Sequence, residues 1–575
     1  MKQFLEYSNV RGGYQEAVNE RTEWEREWRA ISNFLLPGRG IYNRYTYTKR
    51  KRKLTTPNVI NTVAEDALYV LTSGMHGGLT SPSRPWFDLE WSDKRLSEVE
   101  FLKAWMEEST LRLHTSLQTS NFYSIINSFY IEYAGFGTGT AYVGHDTGSD
   151  EVAFRFELLT AGEYAFTMGA DGRPYSFFRT VYMSARQVYE RFGDAASSSV
   201  KKQIKDNSSG IDTVNITVLE AVYKEAYNVE MPYTRVFYEE TGGNTTKNVA
   251  PTMIGKKPLE IAGFHEFPYP IGRWGTIGSD IYGVGPGSRA LPDIKRLQEM
   301  EKAFLMATHK AINPPLNIPA RMRGKTSTLP GGKNYYANPQ ETINEIYQVS
   351  FDYQGVGSAV ERVEQRIQRN FFNDIFLTAA RDPNATPYKA TEVNAREQEK
   401  MLRLGPVIER LQHEFLQPLI DRCFNIMLRK GLLPEMPPEY QEMAGEYNIS
   451  LISPLATAQR SVALNGVNAF MGFIGQAAQF DQSILDNLNA DEAARDLADI
   501  TGVRLGILRT EEEVAKIRAD RQKAMQAQQQ KEEAAQQGMM GSQINAEQAG
   551  AAKTQAEAGN INADTQQILS ETGMI

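Results

Sequence analysis

Residues 283–311 read GVGPGSRALPDIKRLQEMEKAFLMATHKA, residues 312–354 read INPPLNIPARMRGKTSTLPGGKNYYANPQETINEIYQVSFDYQ, and residues 355–377 read GVGSAVERVEQRIQRNFFNDIFL. In the first stretch Ile294, Leu297, Phe304 and Ala311 recur at helical spacing, which predicts an amphipathic helix over 288–311. Pro292 is expected in its first turn, where a missing N–H costs least. The third stretch repeats the pattern, with Val360, Val363, Ile367, Phe371 and Ile375 on one face. Arg362, Arg366 and Arg369 fall at i, i+4 and i+7 on another face. The Pro- and Gly-rich middle stretch cannot continue either helix. Two helices joined by a compact insert make a projecting hairpin. Residues 289–333 hold nine basic and three acidic residues, a local charge of +6 inside a chain of net charge −8. Arg321, Arg323, Lys325 and Lys333 all lie in the insert. Two readings stay open for them, a solvated rim or a surface for a polyanion or an acidic protein.

Beyond the hairpin, TAARDPNATPYK at 378–389 is broken by Pro383 and Pro387 and predicts an exposed loop. A long helical pattern runs from Thr391 to Lys430, with Pro406 and Pro418 expected to kink it and Gly431 to close it. Residues 432–520 form a further, mostly helical region, and beyond about 521 a Gln/Ala-rich tail is either a polar helix or disordered. Before the hairpin, residues 14–36, 57–79 and 96–119 show helical spacing. Alternating runs over 137–182, punctuated by GADG, predict a β-hairpin, and 213–240 predicts more strands. The fold class is therefore α+β, predominantly helical. Five consecutive basic residues, Lys49 to Lys53, fit either a solvated loop or an anionic contact.

The remaining chemistry is mostly excluded. A chain of 575 residues predicts several packed units, and the net charge argues against a generic nucleic-acid binder. The single cysteine, Cys423, lies in an apolar helical stretch and reads as a buried hydrophobe, which suits a reducing compartment. The six histidines are scattered, so no metal site is expected. No signal peptide or span of about 18 apolar residues is evident, and a soluble cytosolic product is expected. GVGPGS at 283–288 lacks the dinucleotide-binding pattern and reads as a structural turn. Gly324-Lys325-Thr326 resembles the end of a P-loop, but the position needing the first glycine is Pro319. No nucleophile elbow stands out, so no catalytic residue, enzyme activity or cofactor is expected.

Several segments, in order, resemble the podovirus head-to-tail connector, or portal, family. They are TPNVINTVAEDALYVLTSGMHGGLTSPSRPWFDL, NFYSIINSFYIEYAGFGTGTAYV, LLTAGEYAF with MSARQVYERFG, DIYGVGPGSRALPDIKRLQEM, YKATEVNAREQEKMLRLGPVIERLQHEFLQPLIDRCFNIMLRKGLLP, SPLATAQRS and RTEEEVAKIRADR. The resemblance covers most of residues 20–521. It implies a ring, usually dodecameric, around a central channel. It further implies a wing over 1–287, stem helices over 288–311 and 355–377, a clip over 312–354, a tunnel loop over 378–390, a long kinked wing helix over 391–431 and a crown over 432–520. The Gln/Ala-rich tail, 521–575, and the basic run lie outside it.

The implied function is a virion vertex, assembled in the host cytoplasm, that nucleates the head, docks the terminase and passes viral double-stranded DNA. Implied partners are further copies of the chain, terminase, tail adaptors, and the major capsid and scaffolding proteins, with no membrane. Arg381 and Lys389, with Arg362, Arg366 and Arg369, would then face DNA in the channel. Arg321, Arg323, Lys325 and Lys333 would face clip partners. A capsid-internal scaffold is the alternative reading, suggested by the tail.

Overall fold

The computed structural model describes residues 5–39, 59–93, 95–96, 99–145, 154–206, 211–212, 214–240, 257–335, 338–339, 342–346, 352–376, 403–436, 447–452 and 511–571, with residues 470, 473, 474 and 476 besides. The elements begin with α1 (Tyr7–Phe34), α2 (Val63–Leu79), β1 (Phe87–Trp91), α3 (Glu100–Thr119) and α4 (Phe122–Phe136). The strands β2 (Thr138–His145), β3 (Phe154–Leu159), β4 (Tyr164–Met168) and β5 (Pro174–Ser184) follow, then α5 (Ala185–Phe192) and α6 (Ser198–Lys205). Next come β6 (Val214–Tyr223), β7 (Tyr233–Glu240), β8 (Glu260–Phe264) and β9 (Ile271–Arg273). The hairpin consists of α7 (Pro286–Ile312), β10 (Leu316–Asn317), β11 (Asn344–Glu345), α8 (Tyr353–Asn370) and α9 (Asn373–Phe376). It is followed by α10 (Gly405–Leu411), α11 (Gln417–Lys430), β12 (Tyr447–Leu451) and α12 (Glu511–Glu571). The fold is an α+β mixture, and among the described residues no helix is long and apolar enough to cross a membrane.

Two compact units emerge. The larger contains residues 1–93 and 104–503, and the smaller contains 94–103 and 504–575. In the smaller unit α12 runs for 61 residues without a hydrophobic face. That helix spans roughly 90 Å at 1.5 Å per residue.

The body of the larger unit is a five-stranded antiparallel sheet, ordered β4-β5-β6-β7-β8. Period-two alternation gives it two apolar faces. Leu219, Ala221 and Tyr223 of β6, with Val236 and Tyr238 of β7, pack against Tyr7, Val10 and Ala17 of α1. Ile216 and Val218, with Phe237, pack on the opposite face against Val188 and Phe192 of α5 and Val200 of α6. Helix α5 is secured by a reciprocal cap in which Ser184 accepts from Gln187 N and Gln187 accepts from Ser184 N. The expected hairpin at GADG is the β4–β5 turn, with Ala165 opposite Phe178. A three-stranded sheet, β3-β2-β9, stands beside it. Strands β1 and β12 pair antiparallel, Phe87 opposite Leu451.

Three details depart from the sequence expectation. Helix α7 starts at Pro286, so Pro292 lies inside it rather than in its first turn. The helix starts early because Gly283, Gly285 and Gly287 fit against the backbone of Gly135–Gly137 and carry the chain straight into helical geometry. The second hairpin helix does not run to residue 377. It stops at Asn370, and Phe372 takes a left-handed φ of 56°, re-aiming the chain into α9. Pro406 does not sit mid-helix; it opens α10. Pro418 does sit inside a continuous helical run, in which α10 passes through a π turn over Gln412–Leu416 into α11 without leaving helical geometry. The π turn accommodates the N–H that Pro418 lacks. Gly431 closes α11 with a left-handed φ of 67°. Residues 391–402 of that expected helix lie outside the described residues.

Candidate channel and partner surfaces

The hairpin is mounted on the body through a joint between two glycine-rich segments. Gly137, with φ 82°, ends α4, and its carbonyl accepts from Trp274 N at 2.9 Å. Thr138 Oγ1 accepts from Gly283 N at 2.8 Å, and Phe136 O accepts from Trp28 Nε1 at 3.1 Å. A Cβ on Gly285 would lie 2.7 Å from Ala134 O, inside contact distance. The glycines of 283–287 are thus there for close backbone approach, as expected of a structural turn.

Helices α7 and α8 lie side by side. The short ladder of Leu316 with Glu345 returns the chain between them. Arg366 donates to Asp293 at 2.7 Å across the pair. A third strand of chain is clamped between them. Gln298 is buried on α7, and its Oε1 accepts from the backbone N–H groups of Ile60 and Asn61 at 2.6 and 3.0 Å. Its Nε2 returns a bond to Asn61 O at 2.8 Å. Asn61 Nδ2 donates to Glu301 on α7 and Glu364 on α8, at 3.0 and 2.9 Å. A buried amide with its hydrogen bonds filled fixes register as well as stability. The sequence gives no signal for this clamp, because its partners lie more than 230 positions apart.

The structure brings Arg362, Arg366 and Arg369 together on α8, around an open recess of about 300 Å³. It adds Arg296 from α7, which sequence spacing on one helix could not supply. The apolar face of the same helix is satisfied within one subunit, since Val363, Ile367 and Phe371 are buried in the isolated chain. In the insert, Arg321 lies in a 3-10 turn, and Arg321, Arg323, Lys325 and Lys333 are all exposed. The insert is held by short-range bonds: Ser327 N donates to Asn334 Oδ1 at 2.7 Å, and Asn334 Nδ2 donates to Ser327 O at 2.8 Å. Lys325 N donates to Met322 O at 3.0 Å, so Gly324-Lys325-Thr326 closes a local turn instead of wrapping a phosphate. Arg381, Lys389 and the run Lys49–Lys53 lie outside the described residues.

Helix α11 ties the small sheet to the loop before β9. Arg422 is buried, donating to Val143 O at 2.7 Å and to the Glu266 carboxylate at 3.2 Å. Cys423 is buried beside it, and burial pushes its thiol well up, so it is an inert core residue. Asp421 differs. Burial pushes its pKa up to about 6, against a hydrogen bond with Tyr447, and nearby Glu266 adds to the rise. An unfolded aspartate titrates near 3.8, so the folded chain holds this proton more tightly. Its contribution to stability is full below that value and is lost as pH rises through about 6. Asp421→Asn is expected to match wild type near pH 4 and to be more stable at pH 8 by about 1–3 kcal/mol. Denaturant midpoints at the two pH values check this, and equal midpoints at pH 8 would refute it.

Among the described residues no group of three or more His, Cys, Asp or Glu side chains is placed to hold a metal. A helical hairpin with a basic insert is mounted on an α+β body. Residues 8–508 match the family described as bacteriophage head to tail connecting protein, and the chain belongs to that family. It is 32% identical over 521 residues to the probable portal protein of Bordetella phage BPP-1, covering 89% of this chain and 90% of that one. It is also 32% identical over 519 residues to the portal protein of Salmonella phage epsilon15, covering 88% and 90%. A chain from the virion of a native gene transfer agent particle matches at 12% identity over 71% of this chain and 89% of that one, with a TM-score of 0.30, too low to bear on architecture. The chain is accordingly a structural protein and not an enzyme.

Proposed function

We propose that the chain is the portal subunit of a short-tailed double-stranded-DNA phage. It assembles into a ring, usually dodecameric in such proteins, at one vertex of the virion head. Membership of the connector family, with two portal proteins about a third identical over nearly the whole chain, carries this reading. The far half of the hairpin supports the ring. Leu305 and Met306 on α7 are half exposed, and Ile312, Leu329 and Tyr335 are more than 70% exposed in the single chain. Apolar area left open this way is covered when copies stand side by side in a closed, head-to-tail arrangement.

In this reading residues 1–287 are wing, 288–311 and 355–377 form the stem, 312–354 the clip, 378–390 the tunnel loop, 391–431 the wing helix and 432–520 the crown. DNA passes through the channel, with Arg381, Lys389, Arg362, Arg366 and Arg369 as its transient phosphate contacts. Mixed charge on α8, where Glu361 and Glu364 alternate with the arginines, suits sliding. An all-cationic wall would hold DNA through counterion release. The ring nucleates the head with capsid and scaffolding proteins, docks the terminase during packaging and receives tail adaptors afterwards.

The clip assignment is tested by Arg321→Glu combined with Arg323→Glu. Both side chains are exposed and add nothing to a core, so ring assembly is expected to persist while adaptor or terminase binding falls about tenfold or more. Normal binding by the double variant, or rings that fail to form, would reject the assignment.

A further inference from the structure

The wing body holds a second basic site, separate from the stem. The register of two sheets builds it. On the five-stranded sheet Arg179 of β5 lies opposite Glu220 of β6, and Glu220 opposite Phe237 of β7, with Arg235 two positions before Phe237 on the same face. On the small sheet Tyr142 lies opposite Glu157 and Gly144 opposite Arg155, so Tyr142, Arg155 and Glu157 share a face. Arg191 reaches in from α5. Together these side chains enclose a recess of about 330 Å³.

Its charges do not balance. Four guanidiniums, from Arg155, Arg179, Arg191 and Arg235, meet two carboxylates, from Glu157 and Glu220. Both carboxylates already accept from Arg179, at 3.1 and 2.6 Å. Arg235 donates to Glu260 at 2.6 Å, yet its Nε is buried without an acceptor. Among the described residues, no ion-pair partner stands against Arg155 or Arg191. Aromatic rings hold two of the cations in place. Arg191 lies over Phe237 at 4.6 Å, and Arg235 lies between Phe237 and Phe264 at 5.0 and 4.8 Å. Stacking fixes a guanidinium plane without using its N–H donors, which leaves pre-organised forks. A structural ion network would be filled by carboxylates; this one, with Glu260 counted against Arg235, keeps a net charge of +1 around an open space.

We propose that this recess binds a compact phosphate-class oxyanion, free or at the end of a small phosphorylated molecule. Guanidinium forks match the paired oxygens of phosphate. The volume suits a small ligand and excludes a duplex. The site is therefore a small-anion site of the wing and not part of the DNA path, and it does not depend on the channel reading.

The test is thermal unfolding and calorimetry of the full chain with inorganic phosphate and pyrophosphate, against sodium chloride at equal ionic strength. Wild type is expected to show a saturable rise in Tm that chloride does not give. Arg155→Gln and Arg191→Gln are each expected to weaken binding about tenfold or more, one lost charge-assisted contact apiece. Arg155 and Arg191 are exposed, so the variants should fold, and their unliganded Tm verifies it. Arg191→Lys, which keeps the charge but loses the fork, should fall between. Arg112→Gln, remote on α3, should bind as wild type does. The assignment is wrong if wild type gives no saturable response beyond chloride, or if the two glutamine variants bind as tightly as wild type. It is equally wrong if only an acidic peptide is bound.

Discussion

Gly283→Ala and Gly287→Ala are each expected to abolish soluble, folded subunit. A Cβ at Gly283 would sit 2.9 Å from Trp274 N and closer still to the carbonyl oxygen of Gly137. At Gly287 it would sit 2.9 Å from the carbonyl carbon of Gly135 and closer to its oxygen. The obstacle in both places is backbone, which cannot rotate aside as a long side chain can. Neither glycine has a left-handed φ, so space alone is the reason for glycine. Overpacking ordinarily costs about 1–3 kcal/mol. Here the only relief is to part α4 from the start of α7, breaking the bonds from Trp274 N to Gly137 O and from Gly283 N to Thr138. The control is Gly275→Ala, whose nearest neighbour would be Val284 O at 3.7 Å, an ordinary contact. Soluble yield and near-ultraviolet circular dichroism of the three variants decide the matter. Native spectra for Gly283→Ala and Gly287→Ala would show that the joint is not tight.

Phe371→Ala is expected to destabilise the subunit itself by about 3–5 kcal/mol, the usual cost of removing a buried phenyl ring. Phe371 has no exposed surface in the single chain, and neither has Ile367 one turn earlier. The amphipathic spacing of Val360, Val363, Ile367 and Phe371, with the ring that the family resemblance implies, predicts that this face draws part of its cover from an adjacent subunit. The structure finds the cover within the chain. The loss should therefore appear in the denaturant midpoint of dissociated subunits, before any ring forms. A midpoint equal to wild type in subunits, with a defect only in assembled rings, would mean that a neighbour supplies the packing after all.

Much of this was legible in the sequence, for a common reason. The spacing of Val363, Ile367 and Phe371 marks an amphipathic helix, and GADG marks the β4–β5 turn, because both are local patterns set by backbone geometry. The cluster of Arg362, Arg366 and Arg369 follows from the same helical period. What stayed hidden is non-local. The pairing of Phe87 with Leu451 crosses more than 350 residues. The clamp of Gln298 on Ile60 and Asn61 and the meeting of Gly135–Gly137 with Gly283–Gly287 depend on contacts no window contains. The recess around Arg179 depends on the register of two sheets, which places Arg155 of β3 and Arg235 of β7 around one space. Pro292 falls inside the helix and not in its first turn because a start signal built from close backbone approach is invisible to helix propensity. The clip residues are recognisable as a basic insert, but composition alone does not distinguish a rim from a docking surface.

The most direct measurement is electron microscopy of the purified full-length chain, with class averages taken down the symmetry axis. A portal subunit predicts closed annular particles of one rotational symmetry with an open central channel. Monomers only, or open filaments without a channel, at concentrations where the chain is folded, would contradict it.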